Sequence, residues 1–258
     1  MNAFAEVAFG AEPGRWPLPT AAAPAELWLR AVAAGGQGRY GSALADLDRL
    51  ARTQPRPGLA SLGFSTRASF LRQLGGHHAA RTWDGRAWAA AGSDVDAGAD
   101  ALIGLAADAL GVGRFALSDR LLRRAADLLP DASGRLPTRL AWVSAELAMF
   151  TGDGPAAVGH AESAVELAAG WTSARHAMKS QVVLAAALCS TGDLAPSRRV
   201  AEGALAGTER LGLIPLSWAS SCLLADIGSS THTASQIRTA RDGSAAAVRH
   251  RGGVWSAR

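Results

Sequence analysis

The tripeptide Thr151-Gly152-Asp153 recurs forty residues on as Thr191-Gly192-Asp193. Such an internal repeat constrains the fold more than any single segment, because one supersecondary unit is then built several times over. Aligning on turn glycines gives Gly38, Gly75, Gly113, Gly152, Gly192 and Gly228, spaced by 37, 38, 39, 40 and 36 residues. Other columns agree once these are fixed. Seven residues before each glycine stand Ala31, Ala68, Ala106, Ala145, Ala185 and Ser221; five after stand Ala43, Ala80, Ser118, Ala157, Ser197 and Thr233. All twelve are small. A third column, twelve after the glycine, reads Leu50, Ala87, Ala125, Ala164, Ala204 and Ala240.

The pattern around each glycine is that of a helical hairpin. Leu102, Leu105, Ala106, Ala109 and Leu110 precede Gly113 at helical spacing, and Leu117, Leu121, Leu122, Ala125, Ala126 and Leu129 follow it. The glycine supplies the left-handed residue that ends the first helix, and Asp153 or Asp193 is placed to cap the second. Pro155 and Pro196 fall in the first turn of that helix, where a missing N–H does little harm. Small residues at recurrent positions allow close helix approach. The expectation is an all-α fold of about twelve helices in six hairpins, forming a right-handed α-solenoid over residues 25–250. Residues 1–24, with four prolines, read as an extended arm with room for a short helix before Gly10, and residues 251–258 as a short basic tail.

These units resemble tetratricopeptide repeats, as carried by Gly38, Tyr40, Ala43, Leu47 and Pro55 and again by Gly113, Phe115, Ser118, Leu122, Ala125 and Pro130. The remaining four units lack the aromatic or the proline and are more similar to the repeat arms of MalT-like and LuxR-type bacterial regulators. The resemblance implies a protein-binding module and brings no catalytic residues. The carboxylate clamp of chaperone-binding members is not matched, since the corresponding surface carries Trp28, Leu29, Val32, Ser65, Thr66 and Ser69.

Composition narrows the partner. The chain has 258 residues, with 58 Ala, 25 Arg and one Lys, and a net charge of +4. That excess lies beyond residue 237, where five arginines meet only Asp242. A balanced body does not suit a phosphate-tracking surface, so nucleic acid is not the expected partner. Neither a secretory signal nor a membrane span is legible, which points to the cytoplasm. Cys189 and Cys222 read as buried thiols. No phosphate-binding loop and no common serine-nucleophile motif occurs, His77 and His78 lack further ligands at metal spacing, and Asp94, Asp96 and Asp100 read as helix-start acids. No enzyme, cofactor or metal is expected.

One constellation points to binding. Residues thirteen, ten, six and three before each turn glycine share a face of the first helix. The ten-before column holds Trp28, Trp142 and Trp218, and its neighbours add Arg72, Arg139, Glu146, Met149 and Lys179. These eight are the candidate groove for a peptide or helix of a partner protein. Tryptophan serves such a groove through its large apolar area and single donor. The same rings could equally fill space between alanine-rich helices. A second expectation is a regulatory module in transcription, acting as a detached sensor arm or through the basic tail.

Overall fold

A computed structural model describes residues 3–129 and 134–256. Pro130 of the repeat pattern and Arg258 of the basic tail lie outside the described residues. Among those described there are thirteen helices and no strand. A short helix α1 (Ala3–Phe9) precedes α2 (Pro24–Gly36), α3 (Tyr40–Arg52), α4 (Pro57–Gln73), α5 (His77–Ala91), α6 (Val95–Gly111) and α7 (Phe115–Asp127). There follow α8 (Arg135–Thr151), α9 (Gly154–Ala169), α10 (Ala174–Ser190), α11 (Leu194–Arg210), α12 (Ile214–Ile227) and α13 (Ala234–His250). No described helix is long and apolar enough to cross a membrane.

From α2 onward, helices pair as hairpins, α2 with α3 through to α12 with α13. All six turn glycines have φ between +72° and +85°, the left-handed region that Cβ-bearing residues avoid. The small columns explain how tightly the pairs close. Eleven of the twelve residues are 0 % exposed. The hydroxyl of Ser118 on α7 donates to the Ala106 carbonyl of α6 at 2.9 Å, and that of Ser197 on α11 to Ala185 on α10 at 2.7 Å. The five-after column therefore rests on the backbone beside the seven-before column, leaving room for one side-chain heavy atom beyond Cβ and no more.

Thr233, the twelfth, is exposed because the last hairpin has a longer turn. Residues 228–233 separate α12 from α13, and the Glu202 carboxylate fastens them by accepting from Ser229 Oγ and Ser230 N, each at 2.6 Å. Thr233 instead caps α13 in a reciprocal pair with Gln236, and the buried position four residues on passes to Ile237. Asp153 caps α9 through Ala156 N at 3.1 Å. Asp193 makes no such cap; its carboxylate takes the Thr191 hydroxyl instead. The two cysteines are half-buried rather than buried.

Successive first helices touch in order, α2 with α4, α4 with α6, α6 with α8, α8 with α10 and α10 with α12. The sixth hairpin also meets the first. Val248 of α13 is fully buried in one apolar cluster with Phe4, Leu27, Tyr40 and Phe70. Arg251 donates to the Gln37 carbonyl at 2.8 Å, Ser256 N to the Leu74 carbonyl at 2.8 Å, and the Trp255 ring lies 4.4 Å from that of Trp218. The described residues after α13 thus reach the first two hairpins through Arg251 and Ser256. At the other terminus, α1 lies against α2 through Val7, Ala8, Val32 and Ala33 and reaches α10, where Gly10 O accepts from Ala174 N at 3.1 Å.

Candidate binding cavity

One face of α2, α4, α6, α8 and α10 lines a common cavity of about 500 Å³, with Phe9 from the end of α1 added to its wall. Six of the eight groove candidates meet there: Trp28, Arg72, Arg139, Trp142, Glu146 and Lys179. The other two are elsewhere. Met149 packs on the apolar cluster between α8 and α9, and Trp218 stands against Trp255.

The tryptophans are already engaged. Trp28 Nε1 donates to Thr66 Oγ1 at 3.0 Å, and Trp142 Nε1 to Ser180 Oγ at 2.8 Å, with Ser180 in turn bonded to the Ala164 carbonyl. Trp142 is only 9 % exposed and stacks on His176 with ring centroids 5.2 Å apart. It contributes an apolar wall and braces α8 on α10; its donor is not offered to the cavity. His176 is kept neutral, because burial and then the neighbouring Arg175, Arg135 and Arg139 charges push its pKa well down. Its Nδ1 lies 2.7 Å from Ser173 Oγ.

Charge is concentrated on this wall. Arg135 and Arg139 share the single carboxylate of Asp100, Arg135 at 2.9 Å, and Lys179 pairs with Glu146 at 3.1 Å. Arg72 bonds both Asp84 of α5 and, at 3.0 Å, Asp108 of α6. Burial pushes the Asp84 carboxyl up to about 7, and one oxygen each of Asp84 and Asp108 is buried without a hydrogen-bond partner. Arg175 differs from the rest. It has no carboxylate partner among the described residues, and its Nε is buried without an acceptor. Burial, and then the Arg139 and Arg135 charges, lower its pKa to about 10. Its stem passes Gly36 at the end of α2, where a Cβ would come within 2.9 Å of Arg175 Cδ.

Sequence reasoning missed Asp100, Arg135, Arg175, His176 and Phe9. A usable signal existed: Arg135 and Arg175 both stand seventeen before their turn glycines, one turn ahead of Arg139 and Lys179. Asp100 holds the thirteen-before position of the preceding unit, so its partners come from the next repeat. Asp94 does cap α6, accepting from Ala97 N at 3.0 Å, whereas Asp100 is a buried ion-pair centre. His77 borders the cavity, and no described His, Cys, Asp or Glu residues cluster as a metal site.

No protein-family model matches the chain, and no curated protein does.

Proposed function

We propose that this chain is a non-enzymatic interaction scaffold or adaptor of the cytoplasm. In this reading its six hairpins form a right-handed α-solenoid resembling tetratricopeptide repeats, and its inner surface receives a segment of a partner protein. The observation that carries it is the convergence of five first helices on one cavity, each contributing the same repeat face. An array built only to pack would have no need to align these faces. A helix about 10–12 Å across is too wide for a cavity of about 500 Å³, so an extended peptide end suits it better. Action on nucleic acid through the tail has less support, because Arg251 is bonded to the Gln37 carbonyl.

The test uses the full chain as bait beside Ser69→Trp, which fills the cavity from α4. A discrete protein retained by the wild type and lost with the variant, at equal helicity, supports the reading. Equal recovery by both refutes it.

A further inference from the structure

Five cations line the cavity, Arg72, Arg135, Arg139, Arg175 and Lys179, and four carboxylates, Asp84, Asp100, Asp108 and Glu146, contact four of them. The excess is focused on Arg175. Arg175 is half-buried with its Nε enclosed and without an acceptor, and a cation so held costs stability that a neutral side chain would recover. Its nearest compensation is the Phe9 ring at 5.9 Å, the outer edge of useful cation–π distance. Gly36 leaves open the space through which this extended side chain passes.

We propose that the cavity binds a small carboxylic acid bearing an aromatic ring, with the carboxylate on the Arg175 guanidinium and the ring against Phe9 and Trp28. The volume falls in the range of small-molecule sites, roughly 300–1,000 Å³. A guanidinium offers two parallel donors to a carboxylate, and Arg175 is the one cation of the five that has no carboxylate of its own among the described residues. Trp28 has its N–H satisfied by Thr66, so its ring presents apolar surface without an unmet donor. Arg135 and Arg139 line the same cavity with their shared Asp100 and add positive potential to it. This goes beyond the scaffold reading and stands without a protein partner.

The test is titration calorimetry on the full chain with benzoate, 2-naphthoate and indole-3-acetate, each beside its neutral amide, and with inorganic phosphate. At least one acid should bind tenfold or more tightly than its amide. Arg175→Gln should remove that preference, and Arg175→Lys, which keeps charge but loses the fork, should fall between. Thermal denaturation supplies a second readout: Arg175→Gln should melt at or above the wild-type temperature, since it removes a half-buried charge that has no carboxylate partner among the described residues. The proposal is overturned if no acid exceeds its amide, if Arg175→Gln retains the preference, or if phosphate binds more tightly than every acid. A marked fall in melting temperature for Arg175→Gln would also overturn it, by showing that the side chain is a structural tie. Acid binding without partner capture would leave this site standing and remove the scaffold reading.

Discussion

Replacing Ser118 tests the small columns most directly, because its surroundings set the sign and size of each substitution. Ser118 is fully buried, and its Oγ lies 2.9 Å from the Ala106 carbonyl oxygen. Ser118→Ala loses one neutral hydrogen bond, while that carbonyl keeps its helical partner, so the cost should be about 1 kcal/mol. Ser118→Val puts carbon where the oxygen was. Carbon approaches a carbonyl oxygen no closer than about 3.3 Å, so the methyl is several tenths of an ångström too near, and valine in a helix has essentially one rotamer. Prising α6 from α7 should add an overpacking cost of about 1–3 kcal/mol, for about 2–4 in total. At about 2–4 °C per kcal/mol for a chain approaching this size, melting followed by circular dichroism should fall about 2–4 °C for Ser118→Ala and about twice that or more for Ser118→Val. A valine variant as stable as the alanine variant would refute the claim that backbone proximity demands small residues here.

Trp142→Ala should lower stability by about 3 kcal/mol, near the bottom of the range for a buried tryptophan because one side of the ring already borders a cavity; a loss below about 1 kcal/mol in denaturant melts would return Trp142 to the role of surface anchor. Asp100→Ala leaves Arg135 and Arg139 without their carboxylate and should cost about 3–5 kcal/mol, read by the same melts. Because the folded chain keeps a proton on Asp84 up to about pH 7 that the unfolded chain releases near pH 4, this group's stabilising contribution should fall as pH rises through that window. Neutral His176 acts in the opposite sense below about pH 6.5, so the quantity to measure is wild type minus Asp84→Asn, and a flat difference would contradict the assignment. Truncation after residue 250 removes the Arg251, Trp255 and Ser256 contacts and should lower the melting temperature by several degrees; an unchanged melt would show the tail to be dispensable.

The hairpins were legible because their causes are local. A left-handed glycine and two small columns lie within about a dozen residues of one another, and all six glycines adopt the expected backbone. Thr233 slipped out of its column because the connection between α12 and α13 has six residues where the other hairpins have two or three, a shift that glycine alignment alone does not register. The cavity was half legible. Arg72, Arg139, Glu146 and Lys179 follow the repeat face, but Asp100 was read against its own helix start when its partners sit on the next repeat. Phe9 carried no local mark, because what distinguishes it is a distant packing partner, and the seventeen-before column places Arg175 on the repeat face without revealing that it lacks a carboxylate. The meeting of α13 with α2 and α3 depends on how small rotations accumulate over six units, which no single repeat reveals.

That meeting changes what the termini are. Open repeat arrays expose an apolar face at each extremity, rely on dedicated caps and unravel from the outside inward. Here each extremity is the other's neighbour, with Phe4 and Val248 sharing one core and Arg251 bonded to Gln37 across 214 positions of chain. Unravelling has no privileged starting point in such a loop, and every hairpin is flanked on both sides. Cutting the chain in the connection between α9 and α10 and linking residue 256 back to residue 3 would relocate the seam without removing an interface, whereas deleting either outermost hairpin would strip two interfaces at once.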